Sequence, residues 1–313
     1  MNTIATNNET RTEVQAPVRA RVNWKEVILF ALLAYGLAWT WSGYFLLPYL
    51  GDLLTQSTTP TEMVERLGAV TTLPSMLTPM IAALIMRIFV SKEGLKGSLG
   101  LLRSPKYYLA ALVVPAAFFT AAVLTVEVLG LGEFRWSETG WFAYLMLMVS
   151  ALIITLFTFG EEYGWRGYLL PRLLPLGEIR ASLLVGLIWA LWHLPLLLAG
   201  LNFPGVNVWL AILVFTFVTV AVSFAYTWFY VASSGSVLVA AVLHASFNNF
   251  ADTITVPPIL LGAHPFTASV VDGVLMVALV VVVYGLFKRS VHVKDPERFI
   301  HPKLDGTWRD WVR

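Results

Sequence analysis

Eight stretches of this chain stay apolar for close to twenty residues or more, near 26–50, 73–90, 107–130, 141–162, 181–200, 207–230, 235–251 and 267–287. A helix rises about 1.5 Å per residue and a bilayer's hydrocarbon core is about 30 Å thick, so each stretch is about the length of one crossing. Composition agrees, since 58% of the 313 residues are hydrophobic and only 13% are charged, far from the balance of a soluble domain. The expected fold is therefore all-α: a polytopic integral membrane protein of about eight transmembrane helices. The seventh stretch is the weakest by length and polarity, and the fourth is expected to carry its helix on toward Pro171.

The placement of basic residues tests that count, because short cytoplasmic loops collect Lys and Arg. Threading eight spans from an inside N-terminus puts the clusters around Lys25, Lys92 to Lys106, Arg166 to Arg180 and Lys288 to Arg313 on one side. Only Arg66 and Arg135 then fall in outside loops. Both termini are thus expected in the cytoplasm. Residues 1–25 are expected to form a disordered N-terminal tail with no cleaved signal, 26–287 the membrane domain, and 288–313 a C-terminal tail at the membrane surface. An amphipathic stretch after Pro60 suits a short interfacial helix. With no cysteine in the chain, disulfides, thiolate metal sites and a thiol nucleophile are excluded.

Ionisable groups within a bilayer are costly, usually face the bundle interior and mark function. Glu161, Glu162 and Arg166 lie toward the inner end of the fourth span, in "FTFGEEYGWRGYLLP". His193 is in the fifth, while His244 and Asn248, with Asn249 beside it, are in the seventh. Glu127 and Asp272 fall near outer ends, within reach of water. By helical rise, His193 lies about 18 Å, His244 about 13 Å and Glu161 about 15 Å from the inner ends of their helices, so three helices bring an ionisable group to nearly one depth. Glu162 and Arg166 are an i, i+4 pair that can neutralise each other, whereas Glu161 points about 100° away and stays free. His244 and Asn248, again i, i+4, share a face. Pro195 is expected to kink the fifth helix beside His193.

A free carboxylate and a histidine can hold and deprotonate a water, while a histidine and an amide can donate to the oxyanion of a tetrahedral intermediate. That combination is amide hydrolysis without a covalent enzyme intermediate. Glu161, His193 and His244 could instead ligate Zn²⁺, but no His-Glu-x-x-His pair is present, and metal is not favoured.

The chain resembles the CPBP intramembrane proteases, which include the Rce1-type CAAX endopeptidases. Three motifs carry the likeness: "EEYGWR" at 161–166, "WALWH" at 189–193 and "HASFN" at 244–248. The second has Trp189 where the family usually has Phe, a difference that bears on packing. The likeness covers roughly 140–252, taken as the catalytic core. It implies an active-site cavity, conical in shape, within the bundle, Glu161 and His193 as water activators, His244 and Asn248 as oxyanion stabilisers, and Glu162 and Arg166 in support. It also implies no required cofactor, a membrane-anchored or lipidated protein substrate, the lipid bilayer as surroundings, and no nucleic-acid partner. A bacterial or archaeal plasma membrane suits the compact plan. A non-catalytic scaffold or immunity-type role is the alternative, with a proton-coupled transporter behind it for want of a half-to-half repeat of broken helices.

Overall fold

The computed structural model describes residues 21–49, 60–100, 105–135, 140–203, 205–254, 260–261, 265–286 and 299. Residues 1–20 of the expected N-terminal tail and, apart from Phe299, the expected C-terminal tail lie outside them. The elements are α1 (Trp24–Leu46), α2 (Pro60–Ser75), α3 (Thr78–Ile85), α4 (Pro105–Val128), α5 (Trp141–Gly164), α6 (Leu170–Leu173), α7 (Glu178–Trp192), α8 (Leu194–Leu198), α9 (Val208–Ala232), α10 (Val237–Ile254) and α11 (Pro265–Leu286). The described structure departs from all-α only in one short antiparallel pairing, Glu133 with Leu261 and Phe134 with Leu260, which ties two loops together.

Among the described residues six helical segments are long and apolar enough to cross a membrane: Trp24–Tyr49, Leu67–Val90, Pro105–Val128, Trp141–Leu176, Val208–Ala232 and Phe266–Gly285. Two more helices stand where the fifth and seventh crossings are expected, and both are short. α7 has 15 residues and stops at His193, and α10 has 18. Length and composition therefore support six crossings, and the number eight rests on the sequence reading alone. The second span also begins earlier than expected, at Leu67 within α2. Within it the Thr71 hydroxyl donates to Leu67 O at 2.7 Å and the Ser75 hydroxyl to Thr71 O at 2.6 Å. Asp272, expected near water, is instead buried within α11 at 7% exposure.

The bundle packs closely where α5 meets α3. A Cβ on Gly164 would collide with Pro79, and one on Gly160 would come within 2.7 Å of Met76 O. Gly160 and Gly164 are one helical turn apart, so bare backbone on one face of α5 lets the two helices approach, the small-xxx-small device of membrane bundles. The acidic pair follows Gly160 directly and points to other sides of the helix.

Beyond Gly164 the helix widens into a π turn over Trp165–Leu169. Pro171 explains it, because a proline ring crowds the carbonyl four residues back and supplies no N–H to it. That carbonyl belongs to Gly167, and it accepts a hydrogen bond from Arg87 Nη2 at 2.7 Å. Arg87 also pairs with Glu93 at 2.9 Å, and Arg172 pairs with Glu93 and with Glu26, each at 2.7 Å. This cluster joins the start of α1, the end of the second span and α6, so those three ends lie on one side of the bundle. The basic-residue count assigns that same side to the cytoplasm.

Candidate active site

Glu161 and Glu162 sit at the last full turn of α5 and are both buried, at 3% and 0% exposure. Their partners differ. Oε1 of Glu162 accepts from Arg166 Nη1 at 2.9 Å and faces His244 Nδ1 at 2.9 Å. Arg166 is also fully buried, with its guanidinium between two rings, 4.8 Å from the Trp189 centroid and 4.7 Å from that of Tyr226. Removing either member of such a buried pair would strand a charge in low dielectric. The pairing of Glu162 with Arg166 agrees with the helix-phase argument. The third partner, His244 on α10, does not follow from either sequence segment read alone.

Glu161 is not entirely free. Its Oε2 accepts a hydrogen bond from the indole Nε1–H of Trp189 at 2.8 Å. Trp189 lies on α7, and the difference from Phe at this position is therefore chemical, since the indole supplies a donor that a phenyl ring lacks.

His193 stands at the break between α7 and α8, with Pro195 beside it in the first turn of α8. Its own backbone N–H turns back to Ala190 O at 3.1 Å. Its ring nitrogen Nδ1 lies 3.0 Å from Trp189 O. A carbonyl can only accept, so Nδ1 carries the hydrogen and Nε2 presents a lone pair. Trp192, at 4.6 Å, and Phe215, at 4.7 Å between ring centroids, hold the imidazole from its sides.

Glu161, His193, His244 and Asn248 all line one cavity of about 270 Å³, together with Trp189, Trp192, Tyr226 and Asp252. The four residues come from α5, the α7–α8 junction and α10, so helix rotation does turn them toward a common space. Asn249 points elsewhere, donating to Leu147 O at 2.7 Å and Ser150 Oγ at 2.6 Å, and it fastens α10 to α5. Tyr163 and Trp165 are buried in the bundle and do not line this cavity, whereas Trp192 does. Asp252 was missed in the sequence. It follows His244 and Asn248 at i+8 and i+4 on the same helix face, and that spacing was the available signal.

Among the described residues no three His, Asp or Glu side chains group as a metal site. The set Glu161, His193 and His244 is spread instead over separate protein partners, with Nδ1 of each histidine already facing an acceptor.

All three motifs fall in a segment that has known counterparts. Residues 140–250 match a family model described as type II CAAX prenyl endopeptidase Rce1-like. Over that segment the chain is similar to the Rce1-type CPBP proteins. A CAAX prenyl protease 2 from Methanococcus maripaludis is 26% identical over 195 residues, which is 56% of this chain and 69% of that protein. Both likenesses indicate a peptide hydrolase, and the six apolar spans suit a membrane setting.

Proposed function

We propose that this protein is an intramembrane endopeptidase that cleaves a membrane-anchored or lipidated protein with a water activated by Glu161 and His193. The observation that carries this reading is the convergence of Glu161, His193, His244 and Asn248 on one cavity. In the proposed step a water donates one hydrogen bond to Nε2 of His193 and gives a proton to Oε1 of Glu161 as its oxygen attacks the scissile carbonyl carbon. The carbonyl π bond opens to an oxyanion, which accepts hydrogen bonds from His244 Nε2 and Asn248 Nδ2. Collapse re-forms the carbonyl and breaks the C–N bond, and the proton held by Glu161 passes to the leaving amine.

His244 can fill that role in only one protonation state. Its Nδ1–H is directed at the Glu162 carboxylate, so Nε2 donates only when the ring carries both protons. Glu162, balanced by Arg166, is the counter-charge for that form. The substrate is proposed to be a prenylated protein ending in a CAAX sequence, the type named for the Methanococcus relative. The protein is placed in a bacterial or archaeal plasma membrane with both termini cytoplasmic.

The test uses the full chain in liposomes with a farnesylated peptide ending in CAAX. Mass spectrometry should find a release of the last three residues that Glu161→Ala abolishes. Intact peptide with the wild-type protein, or equal release by the variant, would overturn the reading. A membrane phenotype that survives Glu161→Ala would favour the scaffold alternative.

A further inference from the structure

Trp189 touches four ionisable groups of the candidate site. Its indole N–H donates to Glu161 Oε2 at 2.8 Å, and its backbone carbonyl faces His193 Nδ1 at 3.0 Å. Its ring lies 4.8 Å from the Arg166 guanidinium and 5.2 Å, edge to face, from the His244 imidazole. It is itself buried, at 6% exposure, on the wall of the cavity.

The local helix geometry explains how one residue reaches both water-activating groups. Trp189 and His193 are i and i+4 on α7, and in an unbroken helix the backbone N–H of His193 would take the carbonyl of Trp189. The helix ends by tightening, so that N–H goes to Ala190 O instead. The Trp189 carbonyl is then met by the His193 side chain, which fixes the tautomer and the ring plane. On the opposite side of the same residue, the indole commits Oε2 of Glu161 to protein.

We propose that Trp189 is a positioning residue that orients Glu161 through its side chain and His193 through its backbone, so that the two groups address one water. This rests on the endopeptidase reading above for its kinetic consequence, though not for the contact. The indole contribution can be removed alone, because Phe keeps an aromatic ring and the backbone carbonyl while deleting the donor.

Two measurements on the full-length protein in detergent micelles test the proposal. The first observes the indole ¹H–¹⁵N resonances, assigning Trp189 by the signal lost in Trp189→Phe. That resonance should move in Glu161→Ala and stay in place in Asn249→Ala, which removes a helix fastening and not the acceptor; an unmoved resonance in Glu161→Ala overturns the contact. The second measures cleavage of the farnesylated CAAX peptide. Trp189→Phe should lower kcat about 10- to 100-fold, the range for losing one hydrogen bond to a charged group, with KM unchanged. A kcat within twofold of wild type, or a loss confined to KM, overturns the positioning role. Trp189→Leu, which also lacks a side-chain donor, serves the same purpose should the Phe variant not accumulate. If the wild type leaves the peptide intact, the endopeptidase reading fails, and the resonance shift still decides whether Trp189 holds Glu161.

Discussion

Nδ1 of His244 lies 2.9 Å from Oε1 of Glu162, across the contact between α10 and α5. The two residues are 82 positions apart, and their meeting turns the acidic pair of "GEEYGWR" into two groups with separate work. Glu162 belongs to a fully buried chain of charge running from Arg166 to His244, while Glu161 belongs to the cavity.

Separating the charge of Glu162 from its shape should separate its electrostatic role from its packing. Glu162→Gln retains an oxygen acceptor for Arg166 and His244 but removes the counter-charge for a doubly protonated ring. We expect a moderate loss of stability, since Arg166 keeps an acceptor but loses its counter-charge, and a kcat lowered about 10²- to 10³-fold, the cost of losing one oxyanion donor. Glu162→Ala should in addition destabilise the fold by about 3–5 kcal/mol, as expected when a buried pair is broken. Thermal unfolding in micelles beside cleavage assays checks both; full activity in Glu162→Gln would remove His244 from the oxyanion role.

His193 is held by Trp189 O through one nitrogen and presents the other to the cavity. Its replacement by Ala should lower kcat about 10²- to 10⁴-fold, the usual contribution of a positioned acid or base. Because it lies at an existing helix break and is only partly buried, melting temperature should hardly change. A marked loss of stability without loss of rate would make it a structural histidine.

The glycines of α5 give a prediction about folding alone. Gly164→Ala puts a methyl group into Pro79, and helices in a packed bundle can relieve this only by moving apart. The variant should accumulate poorly and unfold at lower temperature. Gly36→Ala is the control, since a Cβ there meets nothing within 4 Å. Equal behaviour of the two variants would show that α3 and α5 are not in the close contact described.

Arg87 tests the reason for the π turn. It serves Gly167 O, the carbonyl that Pro171 leaves without a backbone donor, and it is paired with Glu93. Arg87→Met should cost about 3–5 kcal/mol of stability by leaving Glu93 and that carbonyl short of partners. Pro171→Ala in the Arg87→Met background should recover part of the loss by restoring an N–H. No recovery would mean that the proline is not what opens the turn.

Several features could be read from the residues because they depend on one segment at a time. The apolar runs mark the helices, the i, i+4 spacing of Glu162 and Arg166 foretells their pairing, and Pro195 marks the break at His193. What escaped depends on how separate helices are rotated about their axes. Nothing within "HASFN" says that His244 faces Glu162, and nothing within "WALWH" says that the indole of Trp189 reaches Glu161. Depth along the membrane, argued from 1.5 Å per residue, narrows the candidates but leaves that rotation open. The six-span count by length has another origin: α7 stops at His193, and α10, of 18 residues, carries polar groups of the site along its length.

The central claim is that Glu161 is the group that takes the proton of the attacking water. Its most direct test is single-turnover cleavage of a farnesylated CAAX peptide in liposomes by wild type and by Glu161→Gln, which keeps the size of the side chain and an oxygen acceptor for Trp189. The account predicts a rate at least about 10²-fold lower in the variant, with peptide binding retained. A Glu161→Gln protein that cleaves at the wild-type rate would contradict it.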